Sequence, residues 1–188
     1  SFHSETDTEV ILNAYKIYGE NFVEHLSGMF AFALYDIPKN TVLLVRDQAG
    51  VKPLYYTQKD GILFFASEIE ALYRSLPFSF SLDYQGLYHF LSQNYIYDER
   101  TIYNEIKTLP SGCYLKIQNG TVTKKIYYKF EKQDRTVSFD KALSEFEQLF
   151  DTQVERTTRS DVPVGIFLSG GIDSSLIASA VAKSAPDT

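Results

Sequence analysis

Apolar positions recur at helical spacing near the start of the chain, where Val10, Ile11, Ala14, Ile17 and Tyr18 follow a polar, acidic stretch over residues 4–9 and precede Gly19, a residue suited to ending a helix. Phe22, Val23 and Leu26 predict a second, short helix that stops near Gly28. Residues 29–35 are apolar throughout, the pattern of a central strand covered on both faces. Residues 36–40 carry turn chemistry and residues 41–46 read as a returning strand. Residues 54–57 and 62–66 then form a hairpin around Lys59-Asp60-Gly61. Residues 67–73 read as helical, and Asp83 can cap a helix that carries Leu87, Phe90 and Leu91 towards packed aromatics at 95–97. Asn119-Gly120 between the apolar runs 113–117 and 122–128 is the strongest short hairpin signal a sequence offers.

Residues 129–137 are polar and charged without an apolar period, which makes them the linker and places a domain boundary there. Beyond it, Ser138 can cap a long helix with Phe139, Ala142, Leu143, Phe146, Leu149, Phe150 and Val154 on one face. Residues 160–163 end that helix, and residues 164–168 have the pattern of a buried strand. A glycine loop follows, opening a helix through Leu176, Ile177 and Val181. Two parts are expected: an α+β part over residues 1–130, with antiparallel sheet and helices, and the start of an α/β parallel-sheet domain over residues 131–188. A parallel sheet needs several strands and only one is predicted here, so this second part is expected to be incomplete.

Composition narrows the function classes. The 188 residues are rich enough in apolar and aromatic side chains to pack a core, and the net charge of −6 is scattered, with no basic stripe to suit a nucleic acid. The longest apolar runs are far shorter than the ~20 residues that span a bilayer. Residues 1–9 are polar and acidic rather than basic then apolar, so a cytoplasmic protein is the expectation. A single cysteine, Cys113, excludes an internal disulfide framework, and with no histidine nearby in sequence it reads as a structural thiol.

The candidate chemistry lies in Ser169-Gly170-Gly171-Ile172-Asp173-Ser174. Backbone N–H groups at a helix start lack partners within the helix, the aligned peptide dipoles favour an anion there, and glycines let a phosphate approach the backbone. Ser169, Ser174 and Ser175 add hydroxyl donors, while Asp173 can cap the helix or hold a cation beside the phosphates. The alternative is a capped strand-to-helix turn without a ligand. A Walker-type loop would need four spacers between its glycines and a lysine before the hydroxyl residue, and this loop has neither. It resembles the S-G-G-x-D-S loop of the PP-loop ATP pyrophosphatases.

Three motifs in order extend the resemblance over nearly the whole chain: Thr6-Asp7-Thr8-Glu9-Val10-Ile11-Leu12 followed by residues 26–36; Arg46-Asp47-Gln48-Ala49-Gly50-Val51-Lys52-Pro53-Leu54-Tyr55-Tyr56 with Phe65-Ala66-Ser67-Glu68; and Ser160-Asp161-Val162-Pro163-Val164-Gly165 with the loop. Together they resemble the glutamine-hydrolysing asparagine synthetases. The resemblance implies the C-terminal part of a class II glutamine amidotransferase domain over residues 1–130, of Ntn-hydrolase type with antiparallel sheets between helices. Residues 131–188 would then be the N-terminal part of a PP-loop synthetase domain.

It further implies glutamine, aspartate and ATP as substrates, with Mg²⁺, a β-aspartyl adenylate attacked by ammonia, and a homodimer as family members often form. Asp7 would hold the α-amino group of glutamine, although a helix-start aspartate can equally serve as an N-cap. Leu168 would offer backbone groups to adenine, and Ser169, Gly170, Gly171, Asp173 and Ser174 would meet the phosphates and their magnesium, Asp173 being the metal ligand. Arg46, Asp47 and Lys52 can mark a ligand site or, at least as well, a strand-end ion pair and turn, and the resemblance, which makes this segment mainly structural, leaves them outside the catalytic set. The family's nucleophile is a residue-one cysteine, which this chain does not carry, so no catalytic residue is assigned. An internal piece of a larger enzyme, without glutaminase or synthetase activity by itself, is the expectation. Two rivals stay open: the same chemistry on a sugar acid or β-lactam precursor, and a non-catalytic binding module.

Overall fold

The computed structural model describes residues 3–4, 6–132 and 134–184. The chain divides into two compact units, Ser1–Glu131 and Lys132–Thr188.

In the first unit, helix α1 (Asp7–Tyr18) leads into a 3₁₀ helix (Gly19–His25), and Gly19 reverses the chain at φ 58°. Strands β1 (Ala31–Asp36), β2 (Thr41–Arg46), β6 (Cys113–Gln118) and β7 (Thr121–Ile126) form an antiparallel sheet in the order β1-β2-β6-β7. A second antiparallel sheet has the order β4-β3-β5, with β3 at Tyr55–Lys59, β4 at Ile62–Ala66 and the two-residue β5 at Lys107–Thr108. Helices α2 (Ile69–Ser75) and α3 (Tyr84–Gln93) complete the unit. Both two-residue hairpin turns have positive φ at each central position, Asp60 and Gly61 at 52° and 78°, Asn119 and Gly120 at 52° and 74°. That is the backbone twist a right-handed β-ribbon requires, and it is why Asp-Gly and Asn-Gly occupy them.

The core sits on both faces of β2. Leu43 and Val45 face one way, into a cluster with Phe22, Val23, Leu34 and Tyr114, against which Ile11, Ala14 and Tyr15 of α1 pack. Leu44 faces the other way, with Leu54, Leu109, Cys113 and Leu115, against which Tyr56 and Leu63 of the second sheet pack. Each fully buried Leu stabilises the fold by roughly 1.5–3 kcal/mol. Helix α1 covers one face of the first sheet, the second sheet packs on the other, and α2 lies against β3 and β4, consistent with an α+β unit of antiparallel sheets and helices.

Two details correct the sequence expectation. Residues 29–35 do not form a central strand: β1 is at the sheet edge, and only Leu34 of it is buried. Phe30, Phe32 and Leu34 share the helix-covered face, whereas Ala33 and Tyr35 are exposed, so a continuous apolar run conceals an alternating strand. In α1 the core-facing residues are Ile11, Ala14 and Tyr15, while Ile17 is 72% exposed, because only one side of the helix is covered.

Helix α3 is fixed at its start. The Asp83 carboxylate accepts from the Gln85 and Gly86 N–H groups and pairs with Arg100 at 2.6 Å. The Asp83 N–H donates to Ile102 O, and Thr101 then lies so close that a β-carbon on Gly86 would sit 2.2 Å from its carbonyl oxygen. Tyr95 and Tyr97 meet edge to face at 5.2 Å, yet both rings remain exposed rather than packed into the core.

In the second unit, α4 (Phe139–Thr157) is capped by Ser138, whose hydroxyl accepts from Lys141 N, and α5 spans Ile172–Ser184. Val154, Ala180 and Val181 form their small shared core with Phe150 against it, and Lys183 pairs with Asp151 at 2.9 Å. The expected order of helix, connecting segment, glycine loop and helix is present. Residues 164–168, however, form no strand among the described residues, and Phe167 is fully exposed, because no neighbouring strand supplies ladder hydrogen bonds. For the same reason most of the apolar face of α4 is open: only Val154 of it is buried.

Gly86→Ala should destabilise the first unit by about 3 kcal/mol, although alanine is the better helix former, because backbone at Thr101 must move. A fall in melting midpoint of roughly 6–12 °C is expected; an unchanged midpoint would mean that the α3–Thr101 approach is not fixed.

Candidate functional site

The glycine loop keeps the polar groups its sequence announces. Gly170 is at φ 80°, a conformation that glycine adopts readily, and a β-carbon there would meet nothing within 4 Å. The Ser169 and Ser174 hydroxyls are 2.9 Å apart, Gly171 N–H points at Ser169 Oγ at 3.4 Å, and Ser174 Oγ donates to Gly171 O at 3.1 Å. Ser175 N–H bonds the Gly171 carbonyl, so the N–H groups of residues 172–174 stand ahead of the α5 ladder. Asp173 lies within the first turn of α5, not at its cap, and is exposed, as is Leu168. The two serine hydroxyls are thus brought together at the loop, with Asp173 exposed on the first turn of the helix that follows.

Asp7 is the first residue of α1 and is exposed; the N-cap is Thr6, so Asp7 is not the cap that its position allowed. Sequence reasoning missed Glu9. Its carboxylate accepts from His3 N, Ser4 N and Ser4 Oγ at 2.8, 2.6 and 2.5 Å. The signal was available, since a Glu in the first turn after a polar cap often reaches back to the preceding chain.

Among the described residues, Arg46, Asp47 and Lys52 form no ion pair. Asp47 is fully buried and its carboxylate accepts from the backbone N–H groups of Phe30, Ala49, Val51 and Lys52 at 3.0–3.3 Å. Burial alone would push this carboxyl up, but the four N–H donors outweigh it and hold it below the usual carboxylate range. The Arg46 guanidinium goes to the carbonyls of Gly50, Lys52 and Leu109 and to the Thr108 hydroxyl. The Arg46 and Asp47 side chains thus organise the turn after β2.

Other titratable groups here are also structural. Burial pushes the Cys113 thiol up, which disfavours the thiolate a nucleophile needs. The Tyr56 phenol is pushed up to about 12 by burial and by Glu99 beside it. Among the described residues no group of three His, Cys, Asp or Glu side chains could hold a metal ion, and no helix is long and apolar enough to cross a membrane.

A helix-backed pair of antiparallel sheets in one unit and a glycine–serine loop in the other are an arrangement consistent with the antiparallel α+β fold of an amidotransferase-type part. Residues 1–128 match the family described as glutamine amidotransferase domain, and residues 145–188 that described as asparagine synthase. The chain belongs to the glutamine amidotransferase family. It is similar to glutamine-hydrolysing asparagine synthetase 1 of Bacillus subtilis, 36% identical over 97% of this chain and 29% of that protein. It is likewise similar to asparagine synthetase B of Escherichia coli, 36% identical over 97% of this chain and 28% of that protein. With amidase chyE of Penicillium rubens it shares 34% identity over 96% of this chain and 27% of that protein. The chain therefore spans less than a third of the length of these relatives.

Asp47→Ala, which leaves four N–H groups without their acceptor, should lower stability by about 3 kcal/mol or more. Because the folded-state carboxyl is held low, its stabilisation is present above the unfolded value of about 3.9 and is lost as pH falls through the folded value. Acid titrations of the melting midpoint should therefore steepen below about pH 4 in the parent and flatten in Asp47→Asn. Parallel acid limbs in the two proteins would remove Asp47 as the cause.

Proposed function

We propose that this chain is part of an ATP-dependent amidoligase that makes asparagine from aspartate, glutamine and ATP. Residues 1–130 belong to the part that handles glutamine and residues 131–188 begin the part that activates the carboxylate. The observation that carries this reading is the coupling, in one chain, of an amidotransferase-family unit with a loop whose two serine hydroxyls, free glycine approach and adjacent carboxylate suit a triphosphate.

The chemistry is coherent. A carboxylate resists attack by an amine until its oxygen joins a good leaving group, so aspartate attacks the α-phosphorus of ATP, expelling pyrophosphate and giving β-aspartyl-AMP. Glutamine plus water gives glutamate and ammonia; ammonia displaces AMP, and the amide of asparagine forms. Ser169, Ser174 and the backbone N–H groups around Gly170 and Gly171 bind and orient the phosphates, with Leu168 beside the adenine. Asp173, an exposed hard oxygen donor, would hold Mg²⁺ together with phosphate oxygens, and that ion supplies neutralisation of the triphosphate charge. Asp7 pairs with the α-ammonium of glutamine. A second reading keeps the reaction and changes the acceptor to another carboxylate, such as a sugar acid or β-lactam precursor. Homodimerisation and a cytoplasmic site of action belong to the same proposal.

The test is pyrophosphate release by the full-length protein from ATP with ammonia as nitrogen source. Release should require aspartate, and Ser169→Ala and Asp173→Asn should each lower it at least about tenfold, the loss of one strong oriented contact. Undiminished release in both variants would overturn the assignment of the loop. Release that requires a different carboxylate would leave the loop assignment intact and replace aspartate as the acceptor.

A further inference from the structure

We propose that Glu9 is a positioning residue for the glutamine site, acting by clamping the chain that enters α1 so that the Asp7 carboxylate is presented in one orientation. This rests on the reading of Asp7 as the partner of the substrate ammonium. Asp7 and Glu9 both lie in the first turn of α1, yet the structure treats them differently. Glu9 is turned back on the entering segment. One oxygen accepts from His3 N at 2.8 Å, and the other accepts from Ser4 N at 2.6 Å, Ser4 Oγ at 2.5 Å and His3 N at 3.0 Å. The Ser4 hydroxyl lies 3.0 Å from Thr6 Oγ1, and Glu9 N–H donates to Thr6 O at 3.1 Å. Thr6 therefore has its backbone carbonyl and its hydroxyl tied on either side of the α1 start, although its own side chain makes no cap bond.

The consequence for Asp7 follows from geometry. Asp7 is the residue next to Thr6, and among the described residues its own side chain makes no hydrogen bond that would fix it. Its direction is set by the backbone it stands on. The Ser4 hydroxyl and the His3 N–H are the main reasons that the Glu9 carboxyl is held below the usual carboxylate range, so the clamp stays charged at neutral pH. Glu9 is thus held against residues 3 and 4, while Asp7 stands exposed on the same first turn. A loosened clamp would leave Asp7 chemically intact but spread over several directions, and a single salt-bridge partner then binds an ammonium more weakly without any change in the later chemistry.

The experiment uses the full-length protein and compares Asp7→Asn, Glu9→Gln, Ser4→Ala and the double variant Asp7→Asn/Glu9→Gln. Readouts are the KM for glutamine and kcat of glutamine-dependent amide formation, with ammonia-dependent pyrophosphate release as the control for folding and synthetase function. Glu9→Gln should raise the glutamine KM about tenfold with kcat changed less than about twofold, Ser4→Ala should raise it less, and the ammonia-dependent reaction should be unchanged. The double variant should be no worse than Asp7→Asn alone, because orientation no longer matters once the charge is gone. If Glu9→Gln misfolds and loses the ammonia reaction as well, Ser4→Ala carries the test. A normal glutamine KM in Ser4→Ala and Glu9→Gln, with Asp7→Asn impaired, would overturn the clamp and leave Asp7 in place. A normal KM in Asp7→Asn would overturn the Asp7 reading and the clamp with it. Additive effects in the double variant would likewise show Glu9 acting independently of Asp7.

Discussion

One buried carboxylate without a cation holds the first unit together. Asp47 sits where the chain leaves the four-stranded sheet and crosses to the three-stranded one, and its side chain takes N–H groups from both the entry to β1 and the turn that follows β2. Its backbone does the same: Asp47 N–H bonds Phe30 O, while Asp47 O accepts from Gly50 N and Gly112 N. Arg46, one residue before, spans to Leu109 and Thr108 at the end of β5. Two adjacent, oppositely charged residues thus spend themselves on backbone groups of different segments instead of on each other. A buried polar group is tolerated only when its hydrogen-bonding capacity is used, and here that use defines the crossing.

The rest of the unit depends on that crossing. β2 is covered on both faces, with Leu43 and Val45 under the helices and Leu44 between the sheets, so the distance between sheets is set where β2 ends and the Asp47 turn begins. Helix α1 packs on the outer face of the same strand pair through Ile11, Ala14 and Tyr15, and its start carries Asp7 and Glu9. Asp7 and Glu9 are therefore mounted on a helix packed against the sheet rather than on a free loop. In the second unit the glycine loop is positioned by shorter-range means, the bonds among Ser169, Gly171 and Ser174 and the start of α5.

Much of this was legible in the residues. Asn119-Gly120 and Asp60-Gly61 announced their hairpins because only such pairs take positive φ at two successive positions cheaply, and Asp83 and Ser138 announced their helices because short oxygen side chains satisfy first-turn N–H groups. The loop at 169–174 was readable for the same local reason. What failed was non-local. The apolar run at 29–35 could not reveal that β1 lies at an edge, since burial depends on which strands pair beside it. The run at 164–168 had a strand's composition, but a strand exists only through its neighbours. Arg46 and Asp47, adjacent and of opposite sign, read as an ion pair; their actual partners are backbone groups up to 63 residues away, which carry no side-chain signature. Glu9 was hidden in a motif in which Asp7 drew attention.

In the proposed reaction, nitrogen from glutamine is released by the part to which the first unit belongs and reaches a carboxylate activated by the part that the second unit begins. The most direct measurement gives the full-length protein glutamine labelled with ¹⁵N at the amide, together with ATP and aspartate, and follows the label by NMR alongside AMP and pyrophosphate. This coupling predicts ¹⁵N in the side-chain amide of asparagine, with one AMP and one pyrophosphate per amide formed. Label that remains in glutamine, or amide formation accompanied by ADP and phosphate, would contradict it.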